Sequence, residues 1–293
     1  MSPISASRSG SSCSRSRCSG ADRGGVAVFP TLFHIGPIEV KAYGTLLMLG
    51  FIAGILLARR QARLLGLSPD LPLDLGIWVL LSGIVFARLL YVALNWQDYA
   101  WRPLLALEIW REGGLSFHGG LLGGVLAGVL FSRSRRVPFL TLADMVAPGL
   151  PLAYGIARFG CFLNGCCYGA PTSAPWGVCF PVSPGSPLAT HPSHPTQIYS
   201  ALGSFAILGL LLWARPRLPV RGQLFFLYLA AYSVVRAIVE VFRAGYTAQF
   251  LIGPLTQAQV ASAVIFIGAV VALVWLHRRG RRTAGPTQNQ PSE

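Results

Sequence analysis

Long apolar blocks, each about as long as a membrane-spanning helix, alternate along this chain with short polar stretches. Seven blocks predict helices, at roughly 43–63, 74–96, 115–132, 141–164, 196–214, 222–243 and 254–276. A helix needs about 20 mainly apolar residues to cross the hydrocarbon core of a bilayer. A transmembrane barrel would show segments of roughly ten alternating residues, and the sequence lacks them. The pattern predicts an all-α, polytopic integral membrane protein with about seven transmembrane helices.

Two of the predicted helices are unusual. The fourth is a weaker candidate, because Pro148 and Pro151 interrupt it and Asp144 lies near its start. Proline is tolerated in a membrane helix where neighbours satisfy the backbone. The third is rich in glycine, and small residues let membrane helices approach closely. Its glycines are Gly119, Gly120, Gly123, Gly124 and Gly128.

The composition supports a membrane protein and argues against nucleic-acid binding. Of the 293 residues, 53% are hydrophobic and 12% charged, whereas about 25% are charged in a soluble domain. The net charge of +14 comes from arginines grouped between apolar blocks, which is typical of membrane orientation signals. We therefore expect membrane lipid, and no nucleic acid, among the partners. The sequence does not predict an oligomeric state.

Three regions follow from this pattern. Residues 1–28 form a Ser/Arg/Gly-rich stretch without the apolar run of a signal peptide, and we expect a disordered tail or an over-extended start of the reading frame. Residues 29–277 form the transmembrane domain. Residues 278–293 form a basic, then polar, cytoplasmic tail.

Arginine clusters predict the orientation of the helices. The clusters follow the first, third, fifth and seventh helices, whereas the opposite loops hold few arginines. Positive residues favour the cytoplasmic side, so we expect the N-terminus outside and the C-terminus in the cytoplasm, although the N-terminal tail also carries arginines. The clusters are Arg59, Arg60 and Arg63; Arg133, Arg135 and Arg136; Arg215, Arg217 and Arg221; and Arg278, Arg279, Arg281 and Arg282.

Polar residues at the outer helix ends are the candidate site. A charge at mid-membrane costs at least about 2.5–3.5 kcal/mol, which favours a functional role for these residues. We expect them to converge on one pocket below the outer surface. Each arginine could instead extend to the headgroups, and Arg236 with Glu240 could be a structural ion pair. The residues are Tyr43, Arg88, His118, Arg158, Asn164, Arg236, Glu240 and Arg243.

Two features favour a functional site. Arginines outnumber Glu240, and a surplus guanidinium suits a lipid phosphate, which it binds in bidentate fashion. His118 lies between the pairs Gly113–Gly114 and Gly119–Gly120, where the backbone can approach a ligand. An imidazole can act as a general base near neutral pH.

At these residues the chain resembles the prolipoprotein diacylglyceryl transferase family. The resemblance spans about residues 29–277 and rests on motifs that are specific together. They are Tyr43-Gly44, the segment 115–120 (LSFHGG), the segment 155–165 (GIARFGCFLNG), the segment 194–199 (HPTQIY) and the segment 236–243 (RAIVEVFR).

The resemblance implies a transfer of the diacylglyceryl group of phosphatidylglycerol to the lipobox cysteine thiol of prolipoproteins. The products would be a thioether and glycerol 1-phosphate. It implies a multi-pass protein of the bacterial inner membrane, with the active site towards the periplasm. No metal or nucleotide cofactor is expected, because the leaving group is already activated as a phosphodiester.

Residue roles follow from the same resemblance. We expect His118 to be the catalytic base, Arg158 and Arg236 to bind the phosphate, and Tyr43 to assist catalysis. Substrate contacts are expected from Arg158, Asn164, Arg236, Glu240, Arg243, Gly119 and Gly120.

The chain departs from the family signature, which usually reads Arg-x-Gly-Asn-Phe-x-Asn-Gly-Glu. Cys161 stands where the family has its first Asn, and Cys166 stands where it has Glu. Cysteines on an oxidising face favour disulfides, so we expect Cys161, Cys166, Cys167 and Cys179 to form structural disulfides, with three possible pairings.

Other functions remain open at this point. The chain could be a non-catalytic lipid-binding paralogue, or a membrane thiol-redox protein that uses Cys161 or Cys166–Cys167. A metal site built from His191, His194 and the cysteines is a further alternative.

Overall fold

The computed structural model describes residues 31–35, 38–101, 104, 114–180, 191–243, 250–252 and 255–283. The predicted tail at 1–28, with Cys13 and Cys18, and the last ten residues of the predicted cytoplasmic tail lie outside the described residues.

Helices dominate the described residues, and each predicted block corresponds to helical structure. A short 3-10 turn, Arg215–Arg217, follows α7. The helices are α1 Ala42–Leu64, α2 Leu71–Leu94, α3 Trp96–Tyr99, α4 Phe117–Arg135, α5 Phe139–Val146, α6 Gly149–Leu163, α7 Thr196–Ala214, α8 Gln223–Val241 and α9 Gln257–Thr283.

Five helices are long and apolar enough to cross a membrane, namely α1, α2, α7 with its 3-10 turn, α8 and α9. The pair α5 and α6 makes a sixth candidate span, bent by 42° at the break. Helix α4 is not among them, since its glycines and last-turn arginines lower its hydropathy. The fold is therefore that of a mostly helical, polytopic membrane protein, and a seventh crossing stays a prediction.

The predicted fourth helix, 141–164, is broken where its prolines interrupt it. It is divided into α5 and α6, and Pro148 lies at the break. Proline has no backbone N–H and its ring disturbs the preceding turn, which favours a break in the helix there. Pro151 lies within the first turn of α6, where a missing N–H costs little.

Two small antiparallel hairpins were not predicted. Strand β1 (Thr31–Ile35) pairs with β2 (Ile38–Lys41) directly before α1, with His34 opposite Glu39. Strand β3 (Phe250–Ile252) pairs with β4 (Leu255–Thr256) directly before α9. Strands this short carry too few alternating positions for a sequence pattern to reveal them.

The chain divides into two compact units, which we describe separately. The first comprises Met1–Ile52, Pro151–Leu210 and Leu227–Val274. The second comprises Ala53–Leu150, Leu211–Phe226 and Trp275–Glu293.

Glycine allows α2 and α4 to pack closely in the second unit. A Cβ on Gly119 would lie 2.4 Å from the Phe86 carbonyl oxygen, and one on Gly123 would lie 2.6 Å from that of Ser82. The Ser82 hydroxyl donates a 2.8 Å hydrogen bond to the Gly123 carbonyl. These two glycines, four residues apart, thus form the contact face of α4.

The second unit also contains a buried carboxylate that caps the start of α8, and a small apolar core. The Asp144 carboxylate accepts hydrogen bonds from the backbone N–H groups of Gly222 (2.5 Å) and Phe225 (2.9 Å), at the start of α8, where unpaired N–H groups and the helix dipole favour an anion. The core consists of Ala62, Leu71, Leu75, Phe131, Leu142 and Met145.

Close packing in the first unit brings α6 against its neighbours. A Cβ on Gly50 of α1 would lie 2.7 Å from the Ala153 carbonyl oxygen of α6. A Cβ on Gly155 of α6 would meet the Phe205 ring of α7 at 2.8 Å. The first half of α6, which precedes Arg158, is therefore held against α1 and α7.

Candidate active site

Arg158 lies on α6 beside a tyrosine one turn earlier. Its guanidinium donates a hydrogen bond to the Tyr154 hydroxyl and lies over the Tyr154 ring, 4.6 Å from the centroid. The Arg158 Nε atom is buried and has no hydrogen-bond partner among the described residues. A buried donor left unpaired costs about 1–3 kcal/mol, and more for a charged group. Arg158 therefore retains an unused donor.

Arg236 and Glu240 lie one turn apart on α8 and form an ion pair. The Glu240 side chain is only 4% exposed and that of Arg236 is 23% exposed. Breaking such a pair on one side leaves a buried charge uncompensated. Glu240 therefore neutralises and orients Arg236.

A pair of tyrosine rings connects the two arginines. Tyr154 of α6 packs edge-to-face on Tyr232 of α8, with ring centroids 5.8 Å apart. Tyr232 lies within electrostatic range of both Arg158 and Arg236. The two guanidiniums are thus carried on neighbouring helices of one unit.

Tyr43 and Asn164 lie near the C-terminal end of α6. A Cβ on Gly160 would lie 3.1 Å from the Tyr43 Cα, so the first turn of α1 touches α6 close to Arg158. Tyr43 is 40% exposed. Asn164 follows α6, and its side chain hydrogen-bonds to Cys166. The structure thus gives Asn164 a partner within the protein.

The motif at residues 194–199 secures the loop that follows α6. His194 Nδ1 lies 3.1 Å from the Tyr199 hydroxyl, and its ring packs edge-on against Phe242 at 5.2 Å. A Cβ on Gly169 would lie 2.4 Å from the Phe242 carbonyl oxygen. This contact brings the loop beside Arg243, the residue after Phe242, so the motif has a structural role next to the candidate site.

The second unit holds the remaining predicted residues. His118 is exposed in the first turn of α4, with its ring edge-on to Phe117 at 5.8 Å. Gly119 packs against α2, whereas a Cβ on Gly120 would lie 3.6 Å from the Gly83 carbonyl oxygen, in ordinary contact. Gly119 thus has a packing role in the fold, and substrate contact by either glycine stays a prediction.

Arg88 has a structural role that the sequence did not reveal. It is 5% exposed on α2 and donates a 3.2 Å hydrogen bond to the Gly114 carbonyl. Its guanidinium also lies over the rings of Tyr91 and Tyr99. Gly114 has a positive φ of 61° and lies four residues before His118. Arg88 therefore holds the segment that leads into the His118 turn.

Three cysteines group together after Arg158, and for these three the prediction of disulfides is wrong, whereas for Cys179 it is confirmed. Cys161, Cys166 and Cys167 carry free thiols, and their Sγ atoms all lie within 4.8 Å of one another. Cys179 is disulfide-bonded, and none of these three is its partner. The expectation rested on the predicted oxidising side of the membrane, which favours disulfides but does not determine which thiols pair.

The thiols outside α6 differ in acidity. Hydrogen bonds from Cys161 and Cys166, together with the charges of Arg158 and Arg243, hold the pKa of the Cys167 thiol well below its usual range. The hydrogen bond with Cys161 lowers the pKa of Cys166, but the one with Cys167 and burial outweigh it, and the pKa of Cys166 is raised. The pKa values of the two thiols that follow α6 are therefore shifted in opposite directions.

Comparison with known proteins identifies the family. The family model described as prolipoprotein diacylglyceryl transferase matches residues 30–275. The chain belongs to the prolipoprotein diacylglyceryl transferase family. A relative from Nostoc sp. (strain PCC 7120), named phosphatidylglycerol--prolipoprotein diacylglyceryl transferase, is 38% identical over 261 residues, which cover 86% of this chain and 90% of the relative.

Other relatives carry the same name. The one from Synechococcus elongatus is 39% identical over 257 residues, 85% of this chain and 87% of its own length. The one from Clostridioides difficile is 35% identical over 249 residues, 85% of this chain and 96% of its own length. The range matched by the family model, residues 30–275, extends over both compact units, and Tyr43, His118, Arg158 and Arg236 lie within it.

Proposed function

We propose that the protein transfers the diacylglyceryl group of phosphatidylglycerol to the lipobox cysteine thiol of prolipoproteins. The observation that carries this proposal is the surplus guanidinium at the outer end of α6. Arg236 is paired with Glu240, whereas the buried Nε of Arg158 has no partner among the described residues. A lipid phosphate would supply the missing acceptor and balance the charge.

The reaction exchanges one bond for another at a glycerol carbon. His118 acts as general base and takes the proton of the acceptor thiol. The thiolate sulfur, the stronger nucleophile, attacks the glycerol carbon that bears the phosphate. The carbon–oxygen bond breaks, glycerol 1-phosphate leaves with the electron pair, and a thioether remains.

Arg158 and Arg236 bind the phosphate and stabilise its charge as it departs. Glu240 fixes Arg236 by their ion pair. Tyr43 and Asn164 orient the substrates by hydrogen bonds. Arg243, Gly119 and Gly120 make further substrate contacts.

The proposed setting is the bacterial inner membrane, with about seven crossings and the reaction on the periplasmic side. The arginine clusters support this orientation, since along the sequence they follow helices at the ends opposite to those assigned to Arg158 and His118. The five long apolar helices and the bent pair support a multi-pass protein.

Rescue of a bacterial strain depleted of its own diacylglyceryl transferase tests the activity. We expect the full chain to restore growth and the thioether on prolipoproteins. A stably inserted protein that restores neither would instead be the non-catalytic paralogue.

Replacement of His118 tests its role as the base. We expect His118→Ala to lower the transfer rate in membranes by about 10²–10⁴-fold, the usual contribution of a general base, without loss of phosphatidylglycerol binding. His191→Ala, in an exposed loop position, is the matched control and should keep its rate. Full activity of His118→Ala would exclude the assignment.

A further inference from the structure

A turn directly after α6 brings three sulfur atoms together. Cys161 lies in the last turn of α6, and Cys166 and Cys167 follow it. Their Sγ atoms lie within 4.8 Å of one another, and all three thiols are free. Sulfurs bound to one metal ion at about 2.3 Å lie roughly 4 Å apart, so small side-chain rotations would bring the three into ligand positions.

Buried side chains of α7 fix this turn from outside. The Thr196 hydroxyl donates a 2.9 Å hydrogen bond to the Cys167 carbonyl, and the Gln197 amide donates a 2.7 Å one to the Cys166 carbonyl. Thr196 is 1% exposed and Gln197 0%. Both contacts hold the backbone and leave the sulfur atoms available, as the support of a ligand site requires.

Cys167 has an uncommon backbone conformation. Its φ is +65°, in the left-handed region that costs a residue with a side chain roughly 1–2 kcal/mol. Gly165, two residues earlier, has a φ of +68° at no such cost. Strain of this kind persists where surrounding structure enforces it, and it clusters at ligand and active sites. At Cys167 the strained backbone conformation occurs together with the close approach of its sulfur to those of Cys161 and Cys166.

Positive charge beside the turn suits a metal–thiolate centre. A complex of three thiolates with one monovalent cation has a net charge of −2. Arg158 and Arg243 both lie within electrostatic range of Cys167. Their guanidiniums would offset that charge in a setting of low dielectric.

We propose that Cys161, Cys166 and Cys167 form a three-thiolate binding site for the soft metal cation Cu(I). Thiolates select soft ions such as Cu(I) and Zn(II), but a structural zinc site has four protein ligands. Over the described part of the chain, no fourth Cys, His, Asp or Glu joins the group. Each thiol loses its proton to solvent as its sulfur binds, and the copper remains Cu(I).

This site goes beyond the proposed transfer reaction and does not depend on it. From the sequence we expected no metal, and the grouping of free thiols is the reason for departing from that expectation. His191 and His194, which the sequence offered as alternative ligands, are not members of the group.

The test is a Cu(I) titration of the full-length protein, purified anaerobically in detergent, against a chromophoric Cu(I) chelator. We expect one copper per chain, with X-ray absorption showing three sulfur neighbours near 2.3 Å. Cys161→Ser, Cys166→Ser and Cys167→Ser should each weaken binding by more than about 100-fold. Ser173→Ala, exposed in the loop after the turn, should bind as the parent does. Circular dichroism checks that every variant keeps its helices.

Three results would overturn the proposal. One is a disulfide between any two of the three cysteines in protein alkylated at cell lysis, detected by mass spectrometry. Another is copper uptake that persists when all three cysteines are replaced in a chain that keeps its helical content. The third is failure of the folded, reduced parent protein to bind Cu(I), even if it binds Zn(II).

Discussion

Arg158 combines an aromatic neighbour with an unused donor. The Tyr154 hydroxyl and ring occupy one side of the guanidinium, and the Nε atom has no partner within the described residues. The guanidinium presents donors in a fixed fork that matches phosphate geometry, which lysine cannot reproduce. The value of Arg158 to the proposed reaction should therefore depend on its shape as well as its charge.

Variants at Arg158 separate these two contributions. We expect Arg158→Lys to raise the KM for phosphatidylglycerol about 10-fold and Arg158→Ala about 100-fold, since a hydrogen bond to a charged group contributes about 1.5–3 kcal/mol. Assays in mixed micelles at graded lipid fractions give both KM and kcat. Tyr154→Phe keeps the ring and should change KM by less than about threefold. Equal KM values for the parent and Arg158→Ala would exclude phosphate binding by this residue.

Single residues differ in how far the sequence predicts them. The pairing of Arg236 with Glu240 follows from their spacing of four on a helix, and the structure confirms it. The sequence did not predict the free thiols, because the expectation of disulfides rested on the oxidising side of the membrane. The turn that follows α6, which brings the three sulfur atoms together, is not visible in the sequence. The role of Arg88 was missed because its contacts, Gly114 and Tyr99, lie in segments that periodicity does not place together.

At the scale of elements, α2 and α4 meet through Gly119 and Gly123. An added methyl group on Gly119 would meet the Phe86 carbonyl oxygen at 2.4 Å, and backbone cannot move aside as a flexible side chain can. Gly124, on the same helix, would place a Cβ 3.5 Å from a Val79 methyl group, which is ordinary contact. The two positions differ in packing but not in helix propensity.

We expect Gly119→Ala to destabilise the protein by about 1–3 kcal/mol, the usual cost of overpacking. Gly124→Ala is the matched control and should be neutral or slightly stabilising, since alanine favours helix. Thermal unfolding in detergent, followed by circular dichroism, measures both. Equal melting temperatures for the two variants would contradict the close contact.

The Asp144 cap gives a second prediction for an element. Asp144→Asn replaces one carboxylate oxygen with an amide donor that faces the N–H groups of Gly222 and Phe225. We expect a loss of about 1–2 kcal/mol, and hence a Tm lower by several degrees. Asp98→Asn, exposed on α3, should leave the Tm unchanged. A drop of equal size in both variants would show that the effect is not one of capping.

The helices themselves were largely predictable, but the exact break before α6 and the two hairpins were not. Lipid requires that each crossing satisfy its own backbone, so long apolar runs indicate helices directly. The break before α6 depends on how Pro148 is accommodated, which composition does not determine. The hairpins of β1 with β2 and β3 with β4 are stabilised by pairing between segments, and a pattern read along one strand does not contain that information.

For the whole molecule, the arginine clusters and the apolar helices together predict how the chain lies in a bilayer. Arg59 and Arg135 pair with Asp70 and Asp74, yet each cluster still holds arginines in excess of these two carboxylates. The orientation rule counts lysine and arginine near the ends of the spans and gives carboxylates little weight. Partial pairing therefore leaves the predicted orientation unchanged.

Reporter fusions test this orientation. Green fluorescent protein fused after Glu293 should fluoresce in cells, because that reporter folds in the cytoplasm, and alkaline phosphatase at the same position should be inactive. The phosphatase fused within the loop before α7 is the matched control and should be active. The reverse pattern would place Arg158 on the cytoplasmic side and would contradict the proposed periplasmic reaction.

The hydrogen bonds from Thr196 and Gln197 reach backbone carbonyls at positions 166 and 167, and not the side chains there. The Gln197 contact therefore fixes the backbone at position 166 whichever side chain that position carries. A different side chain there should leave the path of the turn unchanged, so the chemical groups beside Arg158 can vary while the fold is kept.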